Sequence, residues 1–175
     1  MKKIVLTFGL ISGAIAAILM IASLPFSSKI GYGAALIVGY TNLVLSALLI
    51  FFGIRSYREN VSGGRLSFAR GFAVGILIAL ISTFCYVAAW ELVYFKFMPD
   101  FGDKYATHMI ERAKASGATP EKIQQATQEA EHFKQSYNNP IINIGYTILE
   151  IFPVGFAATL LSAAFLRRKP APQPA

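Results

Sequence analysis

Two carboxylates stand where water is scarce. Glu150 interrupts the apolar stretch Ile141 to Leu166, and Glu91 sits near the far end of the stretch Gly71 to Phe97. At about 1.5 Å per helical residue, Glu150 lies roughly 14 Å inward from Ile141 and Glu91 roughly 10 Å inward from Met98. Asn143, Tyr146, Thr147 and Glu150 follow one another at intervals of 3, 1 and 3, along one side of a helix. Tyr94 lies within one turn of Glu91. Glu91, Glu150, Tyr94, Tyr146 and Asn143 therefore form a candidate intramembrane polar site. Two acids at comparable depth in a low dielectric would be relieved by a shared proton or a bound cation. The competing reading is structural, with neutral acids hydrogen-bonded to neighbouring helices, and it asks for less.

The other reactive side chains are poorly supported. Cys85 is the single cysteine, it lies inside an apolar run, and it reads as a small buried hydrophobe. His108 and His132 have no cysteine or carboxylate at metal-ligand spacing and read as solvated surface residues. No phosphate-binding loop, nucleophile elbow or zinc-protease helix occurs, and Gly63-Gly64 is too short to cradle a phosphate. No cofactor and no catalytic set is expected, so the chain is read as non-enzymatic.

The elements that would position these residues are hydrophobic slabs. The chain is 55% hydrophobic and 14% charged, against about 25% charged in ordinary soluble domains. Four runs are long enough to cross a bilayer: about 4–24, 33–54, 71–97 and 141–166. The first follows Met1-Lys2-Lys3 and is longer than a secretory signal core, so it reads as an uncleaved anchor. Pro25 to Tyr32 reads as a short link between the first two spans. Asn42, inside the second, is expected to bond across helices. Trp90, Tyr94, Phe95 and Phe97 cluster at the end of the third as an aromatic belt would. Pro153 removes one backbone donor and marks a kink in the fourth. Gly9-x-x-x-Gly13 and Gly71-x-x-x-Gly75 are small-residue pairs that let helices approach closely.

Residues 98–140 form the one long hydrophilic segment. Phe101, Tyr105 and Met109 recur at intervals of four, and Ile123, Ala126, Ala130, Phe133 and Tyr137 at intervals of 3, 4, 3 and 4. Between them Gly117, Thr119 and Pro120 have the chemistry of a C-terminal cap, an N-cap and a first helical residue. A helical hairpin is expected, its two stripes facing each other or the bilayer surface. Ser67 is expected to cap the start of the third span.

The formal charge of +7 is distributed as orientation signals rather than as a nucleic-acid patch. Lys2, Lys3, Arg55, Arg58, Arg65, Arg70, Arg167, Arg168 and Lys169 flank the apolar runs on one face, while the opposite short link has Lys29 alone. Positive charge stays on the cytoplasmic side. Four spans with both termini cytoplasmic satisfy every cluster and leave the hairpin outside.

The stretches FFGIRSYREN, GGRLSFARGFAVG, MPDFGDKYA and YNNPIINIGYTILEIFPVG together resemble the bacterial membrane family known as domain of unknown function 4199. The patterns Tyr57-Arg58, Gly63-Gly64, Ser67-Phe68 and Glu150, Pro153, Gly155 carry most of the resemblance. It implies a small bacterial multi-pass membrane protein and brings no activity with it.

The expectation is an all-α integral membrane four-helix bundle, with an extracytoplasmic helical hairpin between its third and fourth spans. Residues 1–169 would be one multi-pass domain of the bacterial inner membrane, and 170–175 a disordered tail. The partners are the lipid bilayer and either further copies of the chain or another membrane protein. Two functions are expected to compete. One is a non-enzymatic interaction or assembly protein. The other is a small oligomeric carrier or channel that uses the intramembrane carboxylates for protons or cations.

Overall fold

Within lipid the backbone has no water to bond, so apolar runs must satisfy their own N–H and C=O groups as helices. The computed structural model describes residues 1–30 and 32–168, so the expected tail at 170–175 lies outside the described residues. Six helices follow in order: α1 (Lys2–Ile30), α2 (Tyr32–Asn60), α3 (Phe68–Phe97), α4 (Phe101–Ala115), α5 (Pro120–Tyr137) and α6 (Pro140–Leu166). Among the described residues the only β pairing is an isolated antiparallel bridge between Leu66 and Arg168. The stretches Lys2–Pro25, Gly33–Asn60, Phe68–Phe97 and Pro140–Leu166 are long and apolar enough to cross a membrane.

Helix ends differ from the expectation. α1 runs through Pro25, and α2 begins at Tyr32, so most of the expected link is helical. Pro25 deprives only the carbonyl of Ile21 of a donor, near a helix end where such losses are tolerated. α2 continues past Ile54 to Asn60. Polar side chains extend it: Arg55 Nε meets Glu59 Oε1 at 3.0 Å, and Asn60 Nδ2 donates to Ser56 O at 3.0 Å. α6 is continuous through Pro153.

The chain divides into two compact units. The first comprises Met1–Ala88 and the chain from Ile148 onward, and holds α1, α2, the N-terminal part of α3 and the C-terminal part of α6. Its core includes Val5, Ile50, Ile54, Tyr57, Leu66, Val74, Ile78 and Leu166. Among the described residues Gly9, Gly13, Gly53 and Gly75 leave no room for a Cβ, and two of them show how tightly the helices meet. A Cβ on Gly13 would fall 2.5 Å from Cys85 Cβ, and one on Gly75 would fall 2.8 Å from both Ile54 Cδ1 and Thr159 Cγ2. At one end of this bundle Leu66 and Arg168 exchange backbone bonds of 3.3 and 2.9 Å, and Arg58 Nη1 donates to Leu166 O at 3.4 Å. Arg58 thus occupies one of the orphan carbonyls that end α6. Ser67 Oγ accepts from Arg70 N at 3.4 Å, the expected cap of α3.

The second unit is Ala89–Thr147, with α4 and α5 packed as a hairpin. Gly117 adopts φ +69° after α4, and Gly117 N donates to Lys114 O at 3.2 Å, as a glycine-terminated helix requires. Pro120 takes the first position of α5. The two stripes face each other. Tyr105 and Phe133 have ring centroids 4.7 Å apart, and Phe101 and Tyr137 5.8 Å. Lys134 Nζ bridges to Asp103 Oδ1 at 2.6 Å, joining α5 to α4.

Candidate functional site

The densest polar cluster lies in the second unit, at the root of the hairpin. Trp90 on α3 is nearly buried, and its indole N–H is shared between Tyr137 Oη and Asn143 Oδ1, both at 3.1 Å. Asn143, on the second turn of α6, is 0% exposed. Its Nδ2 reaches Tyr137 O at 3.4 Å, and Thr147 Oγ1 donates to the Asn143 carbonyl at 3.0 Å. Tyr94, one turn beyond Trp90, donates its hydroxyl to Asn138 Oδ1 at 2.7 Å. Phe101 packs edge-on against Trp90 at 5.0 Å, and Tyr94 edge-on against Tyr137 at 5.3 Å. The arrangement is a clasp: α3 and α6 supply an indole, a phenol and an amide, and the end of α5 supplies their partners.

Two members of the expected polar site, Tyr94 and Asn143, therefore spend their hydrogen bonds on structure. Tyr146 is half-exposed, with its ring 5.7 Å from Phe133 and 5.9 Å from Tyr137. It borders an open groove of about 540 Å³ on the hairpin, lined also by Met109, Gln128, Glu129 and His132. Glu91 is half-buried, and its Oε1 is buried with no hydrogen-bond partner.

Glu150 belongs to the first unit, and it is exposed. The expectation that another helix of this chain would receive it is not met. The inward face of α6 is taken by Ile151, Gly155, Thr159 and Ala163, with Gly155 against Ala79 and Ile50. The polar side of α6 thus has two fates: Asn143 and Thr147 are buried, while Tyr146 and Glu150 are exposed.

The interior of the bundle is also polar. Ser12 Oγ donates to Ser46 O at 2.9 Å and lies 3.1 Å from Ser82 Oγ. These residues and Thr83 border a cavity of about 20 Å³, enough for one water molecule. Thr159 Oγ1 donates to Gly155 O at 2.8 Å. Gly9 lies against Ile81, and Gly71 against Leu66 and Ala163, so the four predicted packing glycines all face helices or loops of their own bundle. Asn42 Nδ2 reaches Leu19 O at 3.4 Å, the cross-helix bond expected of it. Among the described residues no three histidine, cysteine, aspartate or glutamate side chains are grouped to hold a metal.

Outside the spans the electrostatics are those of solvated ion pairs. The hydrogen bond to Asp103 raises the Lys134 ammonium above its ordinary range. The hydrogen bond from Lys104 holds the Asp100 carboxyl below its ordinary range.

Sequence reasoning missed Trp90, Tyr137 and Asn138 as clasp residues and Ser12, Ser46 and Ser82 as a buried group. Trp90 was assigned to an interfacial belt, although a lone tryptophan within a turn of Tyr94 was a usable signal. The serines left none, because small hydroxyls inside apolar runs are common and cap their own backbone.

No curated protein and no solved structure matches the chain. The family described as Protein of unknown function (DUF4199) matches residues 7–168. That match takes in the first span from residue 7, the other three spans and the hairpin whole, and the chain belongs to this family.

Proposed function

We propose that this chain is a non-enzymatic, multi-pass protein of the bacterial inner membrane that acts by assembling with other membrane proteins. Both termini lie in the cytoplasm and the hairpin lies outside. The observation that carries the reading is the clasp. The indole of Trp90, the phenols of Tyr94 and Tyr137 and the amide of Asn143 are used to fix the hairpin to helix ends rather than being aimed into a cavity. A hairpin whose buried polar groups are spent on its own closure is the architecture of a protein that presents a surface.

The orientation is supported from within the first unit. Val5, Tyr57, Leu66 and Leu166 share one core cluster, which gathers the N-terminal lysines, the arginine loop and the C-terminal arginines at one end of the bundle. That end would face the cytoplasm.

A carrier of protons or cations is the second reading, and Glu91 Oε1, buried without a partner, is what favours it. The central cavity of the bundle weighs against it for a single copy, since about 20 Å³ admits a water but no solute. Affinity purification from native membranes in mild detergent tests the first reading. Recovery of specific membrane proteins, lost when the clasp is broken by Trp90→Ala, is the expected result. Recovery of the chain only as a monomer, with no partner, would remove it. Loss of proton or cation flux in proteoliposomes on Glu91→Gln would favour the carrier.

A further inference from the structure

We infer that the outer face of α6 is the seam of a homodimer, in which the Glu150 side chains of two copies meet across a two-fold axis. The starting observation is an exposed carboxyl group inside an apolar span. Glu150 lies about 15 Å from the start of α6 and about 24 Å from its end, counting 1.5 Å per residue. The bilayer hydrocarbon is about 30 Å thick, so the group sits roughly 10 Å below the nearer interface. A glutamate side chain is too short to bring its oxygens to water from there. Other exposed polar groups in the spans help themselves: Thr41 Oγ1, for example, donates to Ile37 O at 2.7 Å. Among the described residues Glu150 is the carboxyl side chain that is exposed in a span interior.

A covering partner must bring a hydrogen-bonding group to the same depth. A second copy does so by symmetry. When two identical membrane chains are related by a two-fold axis along the membrane normal, equal residues meet at equal depth. A protonated carboxyl is both donor and acceptor, so a pair of them is self-complementary, and a pair that shares one proton is too.

The rest of the face suits close approach. Glu150, Pro153, Ala157, Leu160 and Ala164 are all exposed, and they follow at intervals of 3, 4, 3 and 4, the seam pattern of paired helices. Three of the five are small or lack a flexible side chain, which permits near backbone contact. The exposed face of α1 is different in kind, with Leu10, Ile11, Ile15, Ile18 and Ile21, and reads as a surface for lipid tails.

The inference names a partner for the assembly role proposed above, and it fails separately from that role. The test uses the full chain in native membranes, with Cys85→Ala to remove the native thiol. Ala157→Cys is then oxidised, with Ile18→Cys as the control on α1. The expected result is a disulfide-linked dimer at least fivefold more abundant for Ala157→Cys than for Ile18→Cys. Glu150→Gln keeps the amide self-complementary and should leave the dimer fraction within twofold. Glu150→Leu, which lipid accepts without penalty, should lower it at least fivefold.

Co-purification of two differently tagged copies, free of engineered thiols, provides a second readout, and Trp90 fluorescence reports that each variant is folded. A dimer that survives Glu150→Leu in both readouts overturns the carboxyl pairing. Crosslinking of Ala157→Cys to a protein of different mass overturns the second copy but keeps the assembly role. Monomer alone in both readouts overturns the inference.

Discussion

Replacing Asn143 by leucine tests whether the clasp holds the hairpin. The two side chains have equal numbers of heavy atoms, but leucine's tetrahedral branch is bulkier, so at this fully buried position overpacking adds to the lost hydrogen bonds. Asn143 contributes one of two acceptors to the Trp90 N–H at 3.1 Å and a weaker donation to Tyr137 O at 3.4 Å. A buried hydrogen bond contributes about 0.5–1.5 kcal/mol net, and interhelical bonds in membrane proteins average about 0.6 kcal/mol. The indole keeps Tyr137 Oη at 3.1 Å, so it is not orphaned. The expected loss from hydrogen bonding is therefore about 1 kcal/mol, and overpacking adds to it.

Trp90→Phe should cost more, about 2–3 kcal/mol, because it removes the shared donor and part of a buried ring. The double variant should recover about 0.5–1 kcal/mol of the summed losses, since both substitutions delete one bond. Trp90 is the chain's one tryptophan, so its emission reports this site alone. Asn143→Leu should change that emission, and reversible unfolding in mixed micelles should supply the free energies. A coupling below about 0.3 kcal/mol is indistinguishable from independence, and with unchanged emission it would refute the clasp.

The two glycine environments predict opposite outcomes. Gly13→Ala should destabilise by about 1–3 kcal/mol, as overpacking does, because its Cβ would sit 2.5 Å from Cys85 Cβ. Gly39→Ala, with nothing within 4 Å, should be neutral or stabilise by up to about 1 kcal/mol; micelle unfolding separates the two. Topology is read by thiol labelling in a Cys85→Ala background. An impermeant reagent added to intact spheroplasts should reach Ser116→Cys and not Ser62→Cys, and the reverse pattern would invert the proposed orientation. These serines are preferred to Gly117 and Gly63, whose positive φ would strain a cysteine.

Acid should loosen the start of α4. The Asp100 carboxyl is depressed by Lys104 Nζ at 2.6 Å. A depressed acid stabilises above its unfolded pKa and loses that stabilisation as pH falls through the folded one. Hydrogen-exchange protection at residues 101–104, with rates corrected for the intrinsic pH dependence of amide exchange, should fall below about pH 4, and salt should blunt the difference because the pair is solvated.

The spans and the hairpin were legible because both are written as periodicities. An apolar run of bilayer length admits one backbone solution. The stripes through Phe101 and Tyr105 and through Phe133 and Tyr137 could be buried against each other or a bilayer surface, and the structure packs them together. Capping chemistry was legible at Gly117, Pro120 and Ser67, where a single residue decides the turn.

The fate of α6's polar side was not. Asn143 and Glu150 are seven residues apart and so lie only about 20° apart around a helix, yet one is buried and the other exposed. Periodicity gives the angle of a side chain and says nothing of what covers that angle at a given height. Tyr137 and Trp90 cover Asn143, and those contacts are set by where the hairpin closes. Helix ends were misread for a related reason. Arg55 and Glu59 look like loop residues by polarity, but their i,i+4 spacing also extends a helix.

The pattern of satisfaction tells where something is still missing from the single chain. In a low dielectric an unpaired polar group is expensive, and the hydroxyls and amides of this protein respect that. Ser12, Ser46 and Thr159 bond backbone carbonyls; Asn143, Tyr94 and Trp90 bond one another's neighbours. The two acids of the spans do not follow. Glu91 has a buried oxygen without a donor, and Glu150 faces outward. Poor local packing does not explain the exception at Glu91, because the clasp beside it is closely fitted. Among the described residues nothing donates to the buried oxygen of Glu91, and the second copy inferred above would supply at Glu150 the group of matching polarity that the single chain lacks.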